Sequence, residues 1–159
     1  MTLSEPTQML RLRPQVGRPM NVLVESASPD FLENISVGRH GLQADEPLSA
    51  GGQDAAPAPY ELLLAALGAC KVITLRMYAK RHGWPLQGVQ LNLSHGKVHA
   101  EDSTNCESAG SLIDQIDVEM TLLGELAAEQ RQTLLAIAEK CPVHRTLTSE
   151  VRIRTRAAL

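Results

Sequence analysis

The run Leu62-Leu63-Leu64-Ala65-Ala66-Leu67-Gly68-Ala69-Cys70 carries no charge on any side. Its surroundings favour a helix. Pro59 suits a first helical position, where the amide it lacks would have no partner. Glu61 suits the positive end of the helix dipole, and Gly83 supplies a stop. The spacing predicts one helix from Pro59 to His82, roughly 24 residues and ~36 Å long. A helix apolar all round is buried all round. A chain of 159 residues does not enclose such a helix alone, so the expectation is a dimer sharing its core. Past Cys70 the pattern turns amphipathic, with Val72, Ile73 and Met77 inward against Lys71, Arg76, Lys80 and Arg81 outward.

Composition limits the rest. Hydrophobic residues make up 43% and charged ones 21%, values of an ordinary folded domain. Aromatics are 3%, so Leu, Val, Ile and Ala have to build the interior. A net charge of −3 offers nucleic acid no electrostatic attraction. No apolar stretch reaches the roughly 18–20 uncharged residues of a membrane span. Met1-Thr2-Leu3-Ser4-Glu5-Pro6 lacks the basic-then-apolar order of a secretory signal. Three widely spaced cysteines do not make an extracellular disulfide framework. A reduced, cytoplasmic setting follows as the expectation, with neither nucleic acid nor membrane as a partner.

Along the chain, residues 1–19 mix Pro, Gln, Arg11, Arg13 and Arg18 without a period and read as an N-terminal arm; residues 20–159 read as a single domain. Residues 21–25 and 31–37 form a predicted hairpin. From Arg39 to Pro59 the Gly, Asp, Pro and Ala content reads as a long loop or an extended segment, with Asp45 and Glu46 starting the turn at Pro47. Residues 89–95 alternate as a strand, and 97–99 extend it past Gly96. Residues 101–110, with Cys106, read as a polar hairpin loop. Ile116, Val118, Met120 and Leu122 alternate as a further strand. Leu134, Ile137, Ala138 and Cys141 share one face of a helix from about Ala127 to Lys140, which turns Cys141 toward the core. Residues 151–156 read as a closing strand with Arg152, Arg154 and Arg156 on one face. The order is β-β-α-β-β-α-β, an α+β fold of antiparallel sheet on helices.

The chemistry lies with Cys70 and Cys141. Taken alone, each is a small hydrophobe at home in a core. Two thiols that meet beside a cation are instead a redox site. Cys106 reads as an incidental thiol. Cys141-x-x-His144 lacks the second ligand pair of a structural zinc site, and His95 with His99 does not supply one. No metal and no cofactor are expected.

Pro57-Ala58-Pro59-Tyr60-Glu61-Leu62-Leu63-Leu64-Ala65-Ala66-Leu67-Gly68-Ala69-Cys70, followed by Met77-Tyr78-Ala79 and Gly83-Trp84, resembles the first half-signature of the OsmC/Ohr superfamily. Cys141-Pro142-Val143-His144-Arg145-Thr146-Leu147 resembles the second. Both occur in the family's order and at its separation. The resemblance implies an OsmC-like antiparallel sheet wrapped on two central helices, in an intertwined homodimer. It implies a thiol peroxidase reducing organic hydroperoxides in oxidative-stress defence, with Cys70 peroxidatic, Cys141 resolving and a dithiol as reductant. A catalytic Arg belongs to the same pattern; Arg39 is the candidate and Arg18 the second choice.

One departure matters. The well-studied peroxidases of the family carry Glu directly after the helix-opening Pro; this chain has Tyr60 there and Glu61 one step later, about 100° round the helix. Tyr60, Glu61, His144 and Arg145 are therefore candidates for lining the pocket or tuning a thiolate. The departure also keeps a second reading open: an OsmC-like binding or redox-sensing protein with little turnover.

Overall fold

A computed structural model describes residues 21–99 and 112–157. The chain divides between Ala56 and Pro57 into two compact units. The proposed arm, Arg18 and the Cys106 loop lie outside the described residues.

The first unit is an antiparallel meander of β1 (Leu23–Ser26), β2 (Glu33–Val37) and β3 (His40–Ala44), with Ile35 opposite both Val24 and Leu42. The hairpin of β1 and β2 is as expected. β2 starts two residues late because the Leu32 carbonyl accepts from Ala27 N–H at 2.9 Å and closes the turn. Within 39–59 the extended alternative holds over β3 and the loop alternative beyond it. Gly38 and Arg39 form a two-residue turn, and Gly38 takes φ +60° at the first central position, as primed hairpin turns require. Beyond β3, the buried Asp45 carboxylate accepts main-chain N–H groups from Glu46 (2.8 Å), Gln53 (3.1 Å) and Ala55 (3.0 Å). One side chain thus organises a loop carrying a 3-10 turn at Leu48–Ala50.

The second unit holds α1 (Pro59–His82), the hairpin of β4 (Gly88–His99) and β5 (Leu112–Leu123), α2 (Ala128–Ala138) and α3 (Pro142–Leu147). The bounds of α1 match the sequence expectation, and Gly83 ends it in the left-handed region at φ +65°. β4 runs unbroken through Gly96, which pairs with Gln115. Leu75, Ala79, Leu126, Leu134 and Ala138 form the buried cluster, with Trp84, Val89, Met120 and Leu122 packed around it. Gly68 brings α1 close to β4: a Cβ there would stand 3.1 Å from Leu93 Cδ1. Arg131 joins α2 to the sheet end, its guanidinium donating to Leu122 O at 2.8 Å and Gly124 O at 2.9 Å.

Expectation and structure differ at three places. First, in the single chain α1 is buried along one face, whereas burial all round was expected of a dimer. Leu67, Gly68, Lys71, Leu75 and Ala79 are buried, while Ile73 (57% exposed) and Met77 (65%) face outward. The polarity read past Cys70 is therefore reversed at Lys71, while Ile73 and Met77 are exposed in the single chain. Second, α2 stops at Ala138. A turn at Glu139 and Lys140 precedes α3, so Cys141 starts a new helix instead of ending the old one. Pro142, unable to continue a helix but favoured as its first residue, explains the break. Third, residues 151–157 form no strand, and Ile153 is 87% exposed. Alternation alone provides no neighbour to accept a ladder.

By length and composition alone α1 is apolar enough to cross a membrane, a test that the core helix of a soluble protein passes as well.

Candidate thiol site

Cys70 lies midway along α1 and is partly exposed; Cys141 is fully buried at the start of α3. Both are free, and Cys70 lies near enough to bear on the ionisation of Cys141. The packing of α1 against α3 thus joins two cysteines far apart in the sequence, as the motif reading expects.

Cys141 occupies the N-cap position of α3. Its Sγ accepts the otherwise unpartnered N–H of His144 at 3.3 Å, the place a Ser or Asp oxygen takes in an ordinary cap. Burial pushes the Cys141 thiol above its ordinary value of 9.0. The His144 N–H opposes that shift, contact with Cys70 adds to it, and the Lys71 charge works against it.

Lys71 is the residue that sequence reasoning misplaced. It is 1% exposed and the only buried cation among the described residues. Its Nζ donates to Ala138 O at 3.1 Å and Glu139 Oε1 at 3.0 Å, and meets His144 Nδ1 at 3.3 Å. Three acceptors match the three N–H bonds of an ammonium group. An ammonium group can only donate, so His144 Nδ1 accepts from Lys71; Nε2 lies 3.3 Å from Glu139 Oε2. Glu139 is 62% exposed, so the network reaches solvent at that carboxylate. A signal for Lys71 was present in the sequence. Leu67, Lys71, Leu75 and Ala79 recur every four residues, and the other three are core residues.

The remaining candidates are dispersed. Glu61 Oε2 accepts the Ala58 N–H at 2.9 Å and so closes the start of α1. Tyr60 stacks on His95 with ring centroids 4.5 Å apart, and His95 Nε2 is 2.9 Å from Asp114 Oδ1. That contact, with Lys97 at 3.4 Å, holds the Asp114 carboxyl below its ordinary value. Arg145 is exposed and lines a groove with Pro142, Thr146 and Ser149. Arg39 is exposed in the β2–β3 turn of the first unit. No group of three potential metal ligands occurs among the described residues.

Residues 51–156 match the family model of the OsmC-like protein. The structure resembles that of an OsmC-like protein from Mycoplasma pneumoniae with a TM-score of 0.65 at 16% identity, covering 82% of this chain and 87% of that one. It resembles an organic hydroperoxide resistance protein OsmC from Legionella pneumophila with a TM-score of 0.62 at 18% identity, covering 84% and 92%. For the organic hydroperoxide resistance protein OhrB of Bacillus subtilis the TM-score is 0.56 at 18% identity, covering 82% and 91%. No curated protein matches. The solved structures share the fold, and the family model, spanning well over half of the sequence, shows that this chain belongs to the OsmC-like family.

Proposed function

We propose that the protein is a cofactor-free thiol peroxidase that reduces organic hydroperoxides. The observation that carries this reading is the packing of α1 on α3, which brings Cys70 near enough to bear on the ionisation of Cys141. Membership of a family whose structural neighbours include organic hydroperoxide resistance proteins supports the redox and stress role.

In the proposed cycle the Cys70 thiolate attacks the distal oxygen of ROOH. An S–O bond forms, the O–O bond breaks, and the alkoxide leaves as ROH after taking a proton. Cys70 is then a sulfenic acid. The Cys141 thiolate attacks that sulfur; the S–S bond forms, the S–O bond breaks, and hydroxide leaves as water after protonation. An external dithiol returns both thiols and is itself oxidised to a disulfide. The exposures fit the roles, since the partly exposed Cys70 is open to substrate and the buried Cys141 only to Cys70. Arg39 is the proposed guanidinium partner of Cys70.

The proposed assembly is an intertwined homodimer in the cytoplasm. Ile73 and Met77 on α1, and Val22, Leu23, Val24 and Leu42 in the first unit, leave apolar surface that a second copy would cover. The unpaired segment 151–156 offers an edge for the same purpose.

Stopped-flow oxidation by cumene hydroperoxide tests the activity. Loss of two thiols per chain within seconds is expected, and a rate no faster than that of a free thiol refutes it. The second reading, ligand binding or redox sensing with little turnover, draws on the Tyr60–His95 stack and on the capping role of Glu61. It predicts the slow outcome.

A further inference from the structure

We propose that Lys71, held by Glu139 and His144, is a positioning residue that sets the ionisation of Cys141. The inference rests on the two-cysteine mechanism proposed for this protein. Condensation with a sulfenic acid needs the Cys141 thiolate, yet Cys141 is 0% exposed and has no water against which to ionise. Something inside the protein has to stabilise its charge. The groups facing it are few. From α1 come Cys70 and Lys71; from α3 come the His144 main-chain N–H and ring; from the end of α2 comes Glu139, through Lys71. Arg145 lies on the exposed side of α3.

Lys71 has no N–H left for a direct bond to sulfur. Its donors go to Ala138 O, Glu139 and His144, so its influence on Cys141 is through space. Burial makes that influence larger than at a surface. Glu139 opposes it, because its carboxylate cancels part of the cation's field. The arrangement therefore predicts shifts of opposite sign: removal of the cation disfavours the thiolate, and removal of the carboxylate favours it. A purely structural role for Lys71 makes no such prediction.

The test is the pH titration of far-ultraviolet thiolate absorbance in the reduced, full-length protein carrying Cys70→Ser and Cys106→Ser, which leave Cys141 as its one thiol, read against the same protein with Cys141→Ser. The midpoint of the titration reports ionisation and needs no reagent to reach the buried sulfur. In Lys71→Met the midpoint is expected to rise by about one unit, a tenfold smaller thiolate fraction at fixed pH. Lys71→Arg is expected to restore part of the shift. Glu139→Gln alters a largely exposed side chain that still accepts from Lys71, and is expected to lower the midpoint. If Lys71→Met does not fold, Glu139→Gln decides alone. An unchanged midpoint, or one that rises, in Glu139→Gln overturns the proposal, as does an unmoved midpoint in folded Lys71→Met. No peroxide is present, so a protein that fails to reduce hydroperoxides still shows whether Lys71 controls the ionisation of Cys141.

Discussion

Lys71 Nζ lies 3.3 Å from Nδ1 of His144, which places the cation of a largely apolar helix beneath the short helix that Cys141 begins. Lys71 adjoins Cys70 in sequence, and His144 follows Cys141 by three residues. The polar contact between α1 and α3 is thus made beside the two thiols. Its position joins the packing of the second unit to the chemistry proposed for it.

Stability is expected to register that contact. Lys71→Met keeps most of the side-chain volume but leaves the Ala138 carbonyl without its donor, at a cost of about 1–3 kcal/mol. Glu139→Gln should cost less than about 1 kcal/mol, because its side chain is largely solvated. Urea unfolding of the two variants checks the ranking. Equal losses would place the weight on the exposed pair instead of the buried carbonyl.

The roles of the two cysteines separate in single variants. Cys141→Ser removes the only thiol that the described residues place against Cys70. After one equivalent of hydroperoxide, Cys70 should remain a sulfenic acid, trapped by dimedone, and go on to sulfinic acid with excess oxidant. Cys70→Ser should give no adduct at all. Labelling at Cys141 in Cys70→Ser would reverse the assignment.

The apolar outer face of α1 carries the proposed dimer. Ile73 and Met77 lie one turn apart on that face and are both exposed in the single chain. Ile73→Glu with Met77→Glu should convert a dimer to a monomer in sedimentation velocity, since a charge buried without a partner is strongly unfavourable. A variant that sediments as the parent does would remove α1 from the interface.

Acid should loosen the first unit through Asp45. The Ala55 amide, acting against burial and joined by those of Glu46 and Gln53, holds the Asp45 carboxyl below its ordinary value of 3.8. A depressed value means that the stabilisation is complete above about pH 3.8. It is lost as pH falls through the lower folded value. Amide exchange at Gln53 and Ala55 should therefore accelerate in that acid window, and Asp45→Asn should show fast exchange already at neutral pH. Protection that survives in Asp45→Asn would show that other contacts hold the loop.

Much of the second unit was legible from local rules. Pro59, Glu61 and Gly83 fixed both ends of α1, because caps and stops act within one turn of where they stand. Alternation located β4 and β5, and the two motifs brought Cys70 and Cys141 together. β3 was hidden, because His40-Gly41-Leu42-Gln43-Ala44 has no apolar period; its strand state comes from pairing with β2. The segment 151–156 failed the other way, having the pattern of a strand but no partner to pair with.

Lys71 marks the boundary between what the two levels decide. The sequence by itself determined a long apolar helix, two motif-borne thiols and the OsmC-like family, since those depend on neighbours in the chain. Whether a lysine on that helix points to water or to the interior depends on acceptors far along the chain. Only the tertiary packing supplied Ala138 O, Glu139 and His144 around one ammonium group and so made its burial possible. Burial without them would cost several kcal/mol, which is why the composition of α1 pointed outward and the folded chain turned Lys71 in.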